Sequence, residues 1–144
     1  MPCAANSYPL AAYIPGRSER PHDSLFETFK DGLSKSSPIA ELASSSAFRG
    51  GLNFYGAGYF WEAHELWEAV WMCLPPASAE RHLLRGLIQF ANAGLKRAMD
   101  RPAAAARILA LADSAIAEAF LHGSGALMGL SHADTQALRD EIAL

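Results

Sequence analysis

The stretch YGAGYFWEAHELWEAVW, residues 55–71, decides how this chain folds. After the glycines at its start, it reads as a helix that ends at Pro75-Pro76, because proline removes a helical hydrogen bond and clashes with the preceding turn. At roughly 100° per residue, one arc of this helix collects apolar side chains and one histidine. The arc consists of Phe60, Ala63, His64, Trp67, Val70, Trp71 and Leu74. Glu62 points close to the opposite side of the helix.

The flanking sequence also reads as helices, each with a start or stop signal. Ser37-Pro38 combines a capping serine with a proline at the first helical position, and Ser78 caps a long amphipathic segment. Asp23 is the expected cap of an earlier short helix, and Ser131 with Asp134 resembles a capping box. The expected helices are 23–34, 37–55, 58–74, 79–99, 102–122 and a short one after Ser131.

The fold class follows from these helices and from the absence of strand patterns. No segment alternates apolar and polar residues with β-branched enrichment, so we expect no sheet. Residues 1–22 contain prolines and little periodicity, which predicts an irregular N-terminal arm. Residues 23–144 then form one all-α domain, an antiparallel bundle of about five to six helices joined by short loops.

Composition excludes several classes of function. The net charge is −3 and no basic run exceeds two residues, so we expect no nucleic-acid partner, which needs a concentrated positive surface. No apolar stretch approaches the roughly 18 residues that cross a bilayer, so we expect no membrane association. The two cysteines, Cys3 and Cys73, are far apart and form no disulfide framework. Together these features predict a soluble, cytoplasmic protein.

His64 is the centre of the candidate site. Glu68 lies one turn further along the same helix, and Glu65 lies nearer the surface. Folding the next helix back at the proline pair brings Glu68 near Arg85 and His64 near Gln89. We therefore expect a ladder of two contacts across this hairpin, Glu68–Arg85 and His64–Gln89. Gln89 also lies away from the apolar stripe of its own helix, so a second interpretation has it facing water.

The same residues support two kinds of role. In the first, they form a buried polar network that fixes the hairpin, because an enclosed imidazole needs hydrogen-bonding partners. In the second, His64 and Glu68 supply two ligands to a divalent metal such as Zn²⁺ or Mn²⁺. The segment His64-Glu65-Leu66-Trp67-Glu68 resembles the HExxH zinc helix but has glutamate where that motif needs a second histidine.

The chain resembles the DUF309 family, small helical proteins of unknown function. The family pattern F-N-x-G-x-[YF]-[FW]-E-A-H-E-x-[LW]-E-x-x-W is followed by a helix with G-L-I-Q. The matching residues are Tyr55, Gly58, Phe60, Trp61, Glu62, Ala63, His64, Glu65, Trp67, Glu68 and Trp71, then Gly86, Leu87, Ile88 and Gln89. The chain departs from the pattern at Gly56, where the family usually has asparagine. The resemblance covers about residues 50 to 112 and implies an α-helical fold with no established activity.

Our leading hypothesis is a non-catalytic cytoplasmic protein that acts by association, as a homodimer or with another protein. The apolar residues of the arm and the alanine-rich helix at 102–122 motivate it. The alternative is a metal-dependent or acid–base hydrolase, in which His64 is ligand or base, Glu68 a second ligand and Glu65 a proton carrier.

Overall fold

The computed structural model describes residues 12–22, 24–123 and 125–142. Its regular elements are helices: α1 Ser24–Lys30, α2 Ile39–Ala43, α3 Ser46–Gly56, α4 Phe60–Cys73, α5 Ala79–Ala98, α6 Pro102–Ala119 and α7 His132–Asp140. In the described part, the β-structure is one isolated bridge between Leu127 and Leu130. The all-α class is confirmed. The predicted cap Asp23 and residues 1–11 of the predicted arm, with Cys3, lie outside the described residues.

The predicted helix at 37–55 is divided into α2 and α3. The hydroxyl of Ser45 donates a hydrogen bond of 2.7 Å to the carbonyl of Leu42 and accepts one of 3.2 Å from the amide of Phe48. Serine side chains compete for backbone groups in this way, so Ser45 ends one helix and caps the next. The other predicted helices are present as single elements.

Glycines bring the central helices close together. The most extensive pairing is between α5 and α6, followed by α3 with α4 and α4 with α5. A Cβ atom on Gly86 of α5 would stand 2.7 Å from Cγ1 of Ile116 on α6, and one on Gly94 would stand 2.8 Å from the ring of Phe60 on α4. Side chains larger than hydrogen at these two positions would separate the helices.

The core lies between α3, α4, α5 and α6. Its largest fully buried side chains include Trp67, Tyr55, Phe48, Phe54 and Phe90. The indole Nε1–H of Trp67 donates to the carbonyl of Phe48 at 3.2 Å, which satisfies its single polar group inside the core. The Tyr55 hydroxyl donates to the carbonyl of Leu138 at 2.5 Å and thereby links α3 to α7.

Residues 12–22 form turns that lie against the bundle. The Tyr13 ring meets the Trp61 ring edge-on, with centroids 4.9 Å apart. A guanidinium N–H of Arg17 donates to the carbonyl of Ala98, the last residue of α5, at 2.9 Å. This segment therefore covers the start of α4 and the end of α5. None of the described helices has the length and apolar character that crossing a membrane requires.

Candidate functional site

Helix α4 carries a cluster of one imidazole and two carboxylates, His64, Glu65 and Glu68. The Nε2 atom of His64 lies 3.3 Å from Oε2 of Glu68, and its Nδ1 atom lies 3.6 Å from Oε2 of Glu65. The i, i+4 spacing places the Glu68 side chain beside the imidazole one turn on. The pairing of His64 with Glu68 was predicted, and the structure brings Glu65 to the other ring nitrogen.

The sequence predicts a His64 imidazole enclosed in the protein, and the structure places it in a partly buried position at the edge of the core. Its side chain is 22% exposed, and those of Glu65 and Glu68 are 26% and 52% exposed. The buried residues of α4 are Glu62, Ala63, Leu66, Trp67 and Val70. The buried arc is thus rotated by roughly 70° from the predicted one, toward Glu62 and Leu66.

The rotation has a cause in the packing of neighbouring elements. Helix α3 approaches the Leu66–Trp67 side through two glycines: a Cβ on Gly50 would meet Leu66 at 3.2 Å, and one on Gly51 would meet the Trp67 ring. The segment 12–22 covers the Glu62 side. His64 is left at the border between the core and solvent.

The predicted ladder across the hairpin is also corrected. An Nη2–H of Arg85 points at Nδ1 of His82 at 2.7 Å, and Oε1 of Gln89 accepts from Nδ2 of Asn92 at 3.1 Å. Both partners lie on α5 itself, three residues away, where helical geometry makes side chains neighbours. These short-range pairs take the place of the Glu68–Arg85 and His64–Gln89 contacts, so the cluster consists of α4 residues.

Glu62 is the buried ionisable residue that the sequence analysis missed. Its side chain is fully buried, and Oε2 accepts a 2.9 Å hydrogen bond from the amide of Tyr13. Oε1 has no hydrogen-bond partner among the described residues. Burial raises the pKa of the Glu62 carboxyl, and the amides of Tyr13 and of Glu62 itself oppose this shift only in part. The sequence feature that bears on this burial is the apolar pair Tyr13-Ile14 in the arm, because apolar side chains tend to pack against another surface of the protein.

The cluster on α4 has the chemistry of a divalent-cation site. One ligand atom from each of His64, Glu65 and Glu68 can be chosen so that all three lie within 4.8 Å of one another. Imidazole nitrogen and carboxylate oxygen together suit Zn²⁺ or Mn²⁺, and a single helix leaves the remaining coordination positions open to water. Glu62 lies on a different side of α4 and contributes nothing to this cluster.

Comparison with known proteins finds a family match over this part of the chain. The matching family is DUF309, described as a domain of unknown function, and the match covers residues 48–108. No curated protein and no solved structure matches the chain. The matched range begins in α3 and ends in α6, so it includes all of α4 with its His64 cluster and all of α5. Residues 48–108 of this chain form a DUF309 domain.

Proposed function

We propose that this protein is a non-catalytic helical module that acts by association with a second copy of itself, in the cytoplasm. The observation that carries this proposal is the outward face of α6, which is exposed and mostly apolar. This face consists of Ala103, Ala106, Arg107, Ala110, Leu111, Ser114, Ala117, Glu118 and, just beyond the helix, Leu121. Leu111 is 59% exposed and Leu121 61% exposed, and small side chains between them let another helix approach closely.

The charges on this face favour an antiparallel, two-fold pairing. Arg107 and Glu118 are about three helical turns apart and therefore lie on the same flank of α6. A two-fold axis near the middle of the helix would set Arg107 of one copy opposite Glu118 of the other, twice. A parallel pairing would instead place each charge opposite its like. The face is thus self-complementary, which supports a homodimer over an unrelated partner.

The test is the mass in solution, by sedimentation or light scattering at micromolar concentration. The wild type should have twice the mass of one chain. Arg107→Glu should yield the mass of one chain, because it would place a glutamate opposite Glu118 at both contacts. Arg107→Glu combined with Glu118→Arg should restore the dimer, because each contact again joins opposite charges. Met72→Lys is the control, since Met72 is 54% exposed on α4, away from this face. A wild-type mass equal to one chain would refute the proposal.

The second candidate function is binding of a divalent cation by His64, Glu65 and Glu68. The compact set of three ligand atoms supports it. A bound ion with open positions would bind water, which is the requirement for metal-assisted hydrolysis. In that alternative His64 and Glu68 hold the ion, and Glu65 either completes the set or takes up a proton.

Titration of untagged protein with Zn²⁺ and Mn²⁺ by calorimetry tests the second candidate. His64→Ala and Glu68→Gln should each weaken binding by about tenfold or more, as loss of one ligand does. His122→Ala is the matched control because His122 is exposed and belongs to no such cluster among the residues that the structure describes. Equal binding by His64→Ala and the wild type would exclude this site.

A further inference from the structure

A groove beside the proline turn has a different electrostatic character from the α4 cluster. It lies where the end of α4, Pro75-Pro76 and the start of α5 meet, and it consists of two adjoining cavities of about 510 Å³ and 340 Å³. The basic residues that line them are Lys35, Arg81, His82 and Arg85. No described aspartate or glutamate lines either cavity. The groove therefore has a local positive potential although the whole chain is acidic.

Two contacts fix the position of the Arg81 guanidinium. Its guanidinium lies over the Trp71 ring, 4.0 Å from the centroid, and one Nη1–H donates to the Leu74 carbonyl at 3.1 Å. These two contacts fix the planar group, and its other N–H donors have no hydrogen-bond partner among the described residues. A guanidinium fixed by stacking forms a bidentate pair with an oxyanion at a reduced entropic cost.

Arg85 adds a second guanidinium on the next turn of α5. Because arginine only donates, the 2.7 Å contact requires that Nδ1 of His82 carries no proton. Glu68, the acid of α4 nearest in sequence to Trp71, is directed toward His64 instead. No described carboxylate lines the groove itself, and the acid that shares a neighbouring cavity with Arg85 is Glu118 of α6.

We propose that this groove binds a small phosphate-bearing molecule with an apolar remainder. The phosphate accepts hydrogen bonds from Arg81 and Arg85. The apolar remainder of the ligand lies along Met72, Pro75 and Pro76, which are apolar residues of the larger cavity. The groove adjoins the exposed face of α6, because Arg85 also lines a neighbouring cavity with Leu111 and Glu118. It is separate from the cation cluster on α4, and binding of a phosphate goes beyond the proposed function.

Nuclear magnetic resonance tests the proposal with phenyl phosphate, inorganic phosphate, acetate and chloride at equal ionic strength. We expect saturable shifts of the Trp71 indole N–H and the Arg81 Nε–H. Phenyl phosphate should bind more tightly than inorganic phosphate, by about tenfold for partial burial of the ring. Acetate should bind more weakly than either phosphate, and chloride should produce only small, non-saturating changes.

Two variants and one control define the site. Arg85→Gln and Arg81→Lys should each weaken phenyl phosphate binding by about tenfold, the second because lysine keeps the charge but loses the planar fork. Arg49→Gln removes an exposed arginine on α3 and should leave binding unchanged. Saturable shifts that are identical in Arg81→Lys, or equal responses to phosphate and chloride in the wild type, would overturn the proposal.

Discussion

Among single residues, Glu62 has the surroundings least suited to its chemistry. It is a fully buried carboxyl group with one oxygen bonded to the Tyr13 amide and the other without a partner in the described structure. Burial raises its pKa above the ordinary value of 4.5, so the folded state holds this proton more tightly than the unfolded chain does. Its contribution to stability is therefore fully present below about pH 4.5 and is lost as the pH rises through the folded-state pKa.

Glu62→Gln should remove this pH dependence, because glutamine keeps the shape and does not ionise. We expect the free energy of unfolding of the wild type, measured relative to the variant by urea titration, to fall as the pH rises above about 4.5, because the folded-state pKa is raised from that value. Glu65→Gln on the same helix, at a side chain that is 26% exposed, is the control: it retains Glu62 and should keep the pH dependence of the wild type. Parallel stability curves for the wild type and Glu62→Gln would contradict this explanation.

His64→Ala should have a small effect on stability. The imidazole is partly exposed and its two carboxylate contacts face solvent, where such pairs contribute about 0–1 kcal/mol. We expect the free energy of unfolding at pH 7 to change by less than about 1 kcal/mol. A loss of about 2 kcal/mol or more would instead support the buried structural network that the sequence suggested.

At the scale of helices, the contact between α3 and α4 depends on a glycine. Gly51 lies directly against the indole of Trp67, which is fully buried and bonded to the Phe48 carbonyl. The ring has no room to move, so Gly51→Ala should cost about 1–3 kcal/mol by overpacking, more than the helix propensity gained. Thermal or urea unfolding measures this loss.

Gly56→Ala is the matched control on the same helix. Its Cβ would have one neighbour, an oxygen of Glu141 at 4.0 Å, and Gly56 is exposed. We expect a change between zero and a gain of about 1 kcal/mol, from propensity alone. If both substitutions cost the same, the close approach of Trp67 to Gly51 would not explain the first.

At the scale of the whole molecule, residues 12–22 act as a cover over one end of the helical hairpin. Deletion of residues 1–22 removes the Tyr13–Trp61 contact, the amide donor to Glu62 and the Arg17 bond to Ala98. We expect a loss of about 1–3 kcal/mol, the scale of one large aromatic contact and two hydrogen bonds, with a red shift of Trp61 fluorescence. Arg17→Ala, which removes only the last of these contacts, should cost much less. An unchanged stability of the truncated chain would show that the cover is dispensable.

The helices and the His64 cluster could be predicted from the sequence to different degrees. Caps and breakers act over a few residues, so Ser78, Pro75-Pro76 and Pro102 mark the bounds of α4, α5 and α6 well. The division at Ser45 was missed because a serine can either continue a helix surface or end a helix. His64 and Glu68 meet because they are one turn apart on the same helix.

The sequence by itself therefore determined the all-α class, the order of the helices and the pairing of His64 with Glu68, since each depends on local geometry. Only the tertiary structure decided which side of α4 is buried. Glycines in α3 allow α3 to pack closely against the Leu66 side of α4, and the segment 12–22 covers Glu62. A helical period gives the angular width of an apolar face, but the neighbours that pack against it decide where the face is centred. That difference placed the imidazole at the border between the core and solvent and the unexpected carboxylate in the core.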